Sequence, residues 1–117
     1  MTTSMNDLVA KHADLVADFN NAWNALCDAR DAHFAASTAR NSLPAAPSRF
    51  SGRPDLHADA RAAFQAAADS AWADDKAASA LVRAAGDRLD AVGLYAITPR
   101  MGDRSGVRFL QDWTPPC

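Results

Sequence analysis

Residues 55–92 read DLHADARAAFQAAADSAWADDKAASALVRAAGDRLDAV. Leu56, Ala60, Ala63, Phe64, Ala67, Ala71, Trp72, Ala78, Leu81, Val82, Ala85, Leu89 and Val92 trace one face of this stretch at helical spacing. That pattern belongs to an amphipathic helix and excludes the two-residue period of a strand. Asp55 is placed to cap the start, and Gly93 to supply a left-handed residue after the end. Gly86 lies inside and costs about 1 kcal/mol relative to alanine. It marks either a close helix contact or a break.

Upstream, Ser4 to Asn41 repeats the pattern. Leu8, Leu15, Phe19, Ala22, Leu26, Ala29 and Ala36 form a stripe that includes His12 and His33, and Val9, Val16, Trp23 and Phe34 widen it. Ser4 with Asp7 three residues on resembles a capping box with a shorter acid. Asn41, Ser42 and Pro44 end the helix, because proline disfavours helix in the residue before it. Each helix covers about 38 residues and about 57 Å at 1.5 Å per residue. The connector, 42–54, holds Pro44, Pro47, Gly52 and Pro54 and is long enough for an antiparallel return.

Downstream of Gly93 the texture changes. Leu94-Tyr95-Ala96-Ile97-Thr98 and Val107-Arg108-Phe109-Leu110 are β-prone runs around a turn-rich stretch, Pro99 to Gly106. They predict a small hairpin or an extended tail. An isolated hairpin is marginal in water, so this one has to dock. Trp113, ahead of Thr114-Pro115-Pro116, is either an interface anchor or a cap on the bundle end.

The expected fold is therefore mainly α, a single domain over 1–117. It is a long antiparallel helical hairpin with helices at 4–41 and 55–92, joined by connector 42–54 and followed by a β-prone tail at 93–117. The apolar face, Phe19, Trp23, Leu26, Phe34, Phe64, Trp72 and Leu81, is wider than one partner helix covers. A dimer forming a four-helix bundle closes such a core most simply. The alternative is that the tail folds back and closes it within one chain.

Composition narrows the function. The chain has 117 residues, 49% hydrophobic and 22% charged, which is not a disordered composition. Alanine occurs 28 times, and all 14 acids are aspartate. The net charge of −2 argues against a protein that coats nucleic acid. Charge is segregated: residues 1–39 sum to −3, 40–61 to +2, 62–92 to −2 and 93–117 to +1. Acidic shafts thus alternate with a basic connector and a basic tail. Arg49, Phe50 and Arg53 in the connector, and Arg100, Arg104, Arg108 and Trp113 in the tail, are the candidate exposed contacts at the two ends. Such polarity suits assembly in which basic ends meet acidic shafts.

No membrane-spanning run and no signal-peptide pattern occur, so a cytosolic protein is expected. Cys27 and Cys117 read as a half-buried and a free thiol, or as a bridge in an oxidising compartment. No P-loop, GxGxxG or GxSxG pattern is present, His12, His33 and His57 lack metal-ligand spacing, and the glutamates of helical di-metal sites are missing. Neither a cofactor nor catalysis is expected.

Phe50-Ser51-Gly52 in the connector resembles the Trp-x-Gly bend of the WXG100 family. That resemblance implies a small secreted helical hairpin. The chain departs from the family in having phenylalanine for tryptophan, a long proline-rich connector, and Pro99 where an acid would follow Tyr95.

The function expected is protein–protein contact. A rigid hairpin would self-associate or bind a specific protein partner, as a small accessory or structural protein of a phage or mobile element would. A nucleic-acid-associated regulator working through the basic connector is the alternative.

Overall fold

The computed structural model describes residues 4–110. Helices α1 (Met5–Lys11), α2 (Ala13–Asn41) and α3 (Ala58–Ala91) precede two short strands, β1 (Ala96–Ile97) and β2 (Arg108–Phe109). α2 and α3 pack antiparallel in a steady register. Asp18 meets Arg88, Arg30 meets Asp75, and His33 meets Trp72. The result is a rod of 79 × 28 × 17 Å with a radius of gyration of 21.3 Å. A compact domain of this length would have about 13 Å.

The first helix is not one span over 4–41. Ser4 caps α1, its hydroxyl accepting the Asp7 N–H at 3.1 Å. His12 then leaves helical geometry, with φ −113° and ψ 33°, and the chain bends. The hydrogen-bond ladder survives the bend: His12 N–H donates to Leu8 at 3.0 Å, and Val16 N–H to His12 at 3.1 Å. The register explains it. α3 ends at Ala91, opposite Leu15, so a straight helix would carry Met5, Leu8 and Val9 past α3 into water. Bent, these residues pack against the core.

α3 starts at Ala58 rather than Asp55. The Asp55 carboxylate accepts the His57 N–H at 3.0 Å, a local turn that occupies residues 55–57 before the helix. The connector therefore runs 42–57. From the first turn of α3, Arg61 reaches back to Asp55 at 2.9 Å and to the Pro44 carbonyl, tying both ends of the connector together.

α3 closes with a Schellman motif. Gly93 takes φ +86°, its N–H donates to Asp90 at 3.1 Å, and the Leu94 N–H donates to Leu89 at 2.9 Å. Leu89 and Leu94 are both fully buried, supplying the hydrophobic contact that accompanies this cap. Gly86 does not break α3. A methyl there would meet the Phe19 ring at 3.7 Å, an ordinary contact, whereas one at Gly93 would meet nothing but would sit at positive φ.

The two glycines should respond oppositely to alanine. Gly86→Ala is expected to stabilise by up to about 1 kcal/mol through helix propensity. Gly93→Ala is expected to destabilise by about 1–2 kcal/mol, because an L-residue resists the left-handed region. Thermal unfolding of both variants checks this, and equal shifts of one sign would contradict the assignment.

The core occupies one half of the rod. Phe19, Trp23, Leu26 and Cys27 of α2 meet Ala78, Ala85 and Leu89 of α3, with Leu94 and Phe109 from the tail laid over them. Toward the connector, the buried residues of α3 are Ala68 and Ala71. Alanine lets the axes approach but buries little area, at about 25 cal/mol per Å².

Candidate protein-binding surface

The tail decides which side chains are left free. β1 and β2 pair antiparallel, Ala96 opposite Phe109 and Ile97 opposite Arg108. Their hairpin lies back along α2. The Trp23 indole N–H donates to the Asp103 carbonyl at 2.8 Å, and the Asn20 amide oxygen accepts the Val107 N–H at 2.8 Å. The Cys27 sulfur lies 3.9 Å from that of Met101. Arg104 straddles two acids of α2, at 2.6 Å from Asp28 and 3.3 Å from Asp31. Asp28 is the main cause of a raised Arg104 pKa. The basic tail thus meets the acidic shaft within the same chain, and Arg100, Arg104 and Arg108 lie along the rod instead of at its end.

This arrangement divides the expected apolar face. Phe19, Trp23 and Leu26 are buried inside the chain itself, so within it they are core and not a free face. Phe34 is 73% exposed, Trp72 53% and Leu81 56%, while Phe64 is half-buried. Phe34 lies seven residues beyond Cys27 on α2, and Trp72 lies fourteen residues before Gly86 on α3. Both continue the face that the tail covers, past the point where the tail stops. The His33 ring sits 5.7 Å from that of Trp72, and the Lys76 ammonium lies 5.7 Å over the indole. Leu81 stands on the opposite side, in a shallow groove with Ala25, Ala29, Ala32, Asp74 and Ala77.

At the connector tip Arg49, Phe50 and Arg53 are exposed. Ser48 and Ser51 form the turn, the Ser51 N–H donating to Ser48 at 2.9 Å, and the Arg49 guanidinium lies 5.2 Å over the Phe50 ring. Cys27 is fully buried and a free thiol, not half-buried. Trp113 and Cys117 lie outside the described residues.

Sequence reading missed Asn20, Met101 and Asp103 as the tail's docking partners. Asn20 carried a usable signal: a polar side chain on the same stripe as Trp23 and Cys27, at i, i+3 and i+7. A polar residue inside an apolar stripe needs a partner.

Two carboxylates help hold the tail and the connector. Asp103 is held below the usual carboxylate range by the Ser105 hydroxyl and then the Ser105 N–H, and Asp55 by Arg61 and then the His57 N–H. Because the folded values are depressed, their contribution is present above the ordinary value of 3.8 and is lost as pH falls through the lower folded values. The tail turn is therefore expected to loosen as pH falls below the ordinary value of 3.8. Trp23 fluorescence, read with Trp72 and Trp113 replaced by phenylalanine, checks this. A flat signal below that value would remove these contacts from the tail's support.

Among the described residues, no helix is long and apolar enough to cross a membrane. No protein-family model matches the chain, and neither a curated protein nor a solved structure is significantly similar to it.

Proposed function

We propose that this chain is a non-enzymatic, cytosolic protein-contact element that self-associates or binds a specific protein partner. One observation carries the reading. Phe34 and Trp72 stay largely exposed on the face that the chain's own tail covers elsewhere. Aromatic side chains concentrate binding energy when a partner buries them. The connector half beneath them has an alanine seam and gains most from a further layer. Size and architecture fit an accessory or structural component of a larger assembly, of the kind that phages and mobile elements carry.

Cross-linking in the cells that encode the chain tests the reading. The wild-type chain is expected to give a discrete protein adduct that Phe34→Asp abolishes. Asp59→Lys, elsewhere on α3, should leave the adduct intact. Absence of any adduct would overturn the proposal. A nucleic-acid role would instead show binding that falls steeply with salt and is lost on Arg49→Ala with Arg53→Ala.

A further inference from the structure

We infer that Met101 is a site of reversible oxidation: a hydroperoxide converts its thioether to the sulfoxide, which lifts the tail tip, residues 98–107, off α2 and uncovers the Cys27 thiol.

Access is the first argument. Met101 stands in the turn between β1 and β2 and is 43% exposed, while Cys27 behind it is 1% exposed. An oxidant arriving from water therefore meets the thioether before the thiol. Met5 is partly buried against the core, so Met101 is the more accessible methionine among the described residues.

The contact itself is the second argument. The Cys27 thiol donates to the Met101 sulfur across 3.9 Å. In the oxidation, a sulfur lone pair attacks the outer oxygen of the hydroperoxide. An S–O bond forms and the O–O bond breaks. The proton of the attacked oxygen passes to the leaving one, which departs as an alcohol, or as water from hydrogen peroxide. Sulfur is oxidised by two electrons and the peroxide is reduced by two. A pair of thiols reverses the step, taking the oxygen off as water and leaving as a disulfide. The sulfoxide has one lone pair fewer on sulfur and a polar S–O group in place of an apolar thioether. A contact that seats the turn on a buried thiol is thus exchanged for a group that favours water.

The remaining hold on the tip is thin. The Arg104 pairs with Asp28 and Asp31 are exposed on both sides, and such pairs contribute little. Two hydrogen bonds remain, from Trp23 to the Asp103 carbonyl and from the Val107 N–H to Asn20. Asn24 works against them. It lies one turn from Asn20 and one turn from Asp28, both of which bond the tail. Its amide oxygen is buried with no hydrogen-bond partner among the described residues. A buried acceptor left unpaired is costly, and lifting the tip returns it to water. The base of the tail is held separately. Leu94 and Phe109 are buried, and the Leu110 N–H bonds the Tyr95 carbonyl at 2.9 Å. Opening is therefore local to the tip.

The experiment uses the full chain carrying Cys117→Ser, treated with hydrogen peroxide, cleared of it, and then labelled at Cys27 with a maleimide. Peptide mapping is expected to find the first added oxygen on Met101. Labelling should then speed about tenfold, the equivalent of about 1.4 kcal/mol. Methionine sulfoxide reductase should restore the slow rate. Met101→Leu keeps the bulk and should label slowly with or without peroxide. Met101→Gln is polar without any oxidant and should label fast from the start. Hydrogen exchange on the oxidised chain locates the change: protection of the Val107 amide should fall, while that of Leu94 and Leu110 should hold.

A Met101 sulfoxide with unchanged Cys27 labelling overturns the inference. So does a first oxygen on Met5 or Cys27, or an acceleration that persists in Met101→Leu. Protection lost along α2 and α3 as well as at the tip would show general loosening and would equally sink it.

Discussion

Replacing Trp23 with alanine is expected to cost about 3–5 kcal/mol and to release the tail, because a buried indole leaves a cavity that the rod cannot close. Trp23 is 7% exposed, and its N–H donates to the Asp103 carbonyl at 2.8 Å. It is thus both the largest side chain in the core and a direct tie between α2 and the tail turn. The fully buried Cys27 thiol, beside Met101, reports the outcome. In a Cys117→Ser background, labelling of Cys27 requires the tail to lift. A loss of about 3–5 kcal/mol should speed it by about two to three and a half orders of magnitude, at tenfold per 1.4 kcal/mol. Trp23→Phe keeps most of the bulk and loses the hydrogen bond, so about 1 kcal/mol is expected. Unchanged labelling in Trp23→Ala would mean that the tail is held by something else.

Leu89→Ala is expected to cost about 2–5 kcal/mol, more than Phe34→Ala or Trp72→Ala measured on the monomer. The ranking inverts side-chain size because burial decides it. Leu89 is 0% exposed, against 73% for Phe34 and 53% for Trp72. Leu89 also stands where α3, the tail and α2 converge, with its carbonyl accepting the Leu94 N–H. Its loss therefore weakens the Schellman closure as well as the core. Alanine at Phe34 or Trp72 should change monomer stability by less than about 1 kcal/mol, as surface substitutions do. Urea unfolding at low micromolar protein checks all three. A Leu89→Ala variant as stable as Phe34→Ala would show that the core does not sit where the buried residues place it.

Those two results separate the halves of the rod. The half away from the connector holds the large buried side chains and the tail. The connector half holds alanine between the helices and aromatics outside them. The chain thus buries its large side chains at one end and leaves Phe34 and Trp72 exposed at the other.

Sequence analysis reached the helical hairpin, the helix end at Asn41 ahead of Pro44, the cap at Ser4 and the turn at Gly93. Each of these follows from local chemistry: periodic apolar spacing, proline's effect on its neighbour, a hydroxyl near free N–H groups, and glycine's tolerance of positive φ. The bend at His12 was not legible. It depends on where α3 stops relative to α2, and that is a matter of register between elements. The start of α3 at Ala58 was missed because Asp55 has two uses at a helix entry, as a cap or as a turn former, and Arg61 favours the second.

By itself, the amino-acid sequence determined that this protein is two long amphipathic helices joined by a breaker-rich connector, because periodicity and turn chemistry act within a few residues. Only the tertiary structure decided which part of one wide apolar stripe became core and which stayed outside. Trp23 and Phe34 read alike along the helix. They differ because the tail, turning at Gly93 and drawn to Asp28 and Asp31, covers one and stops short of the other.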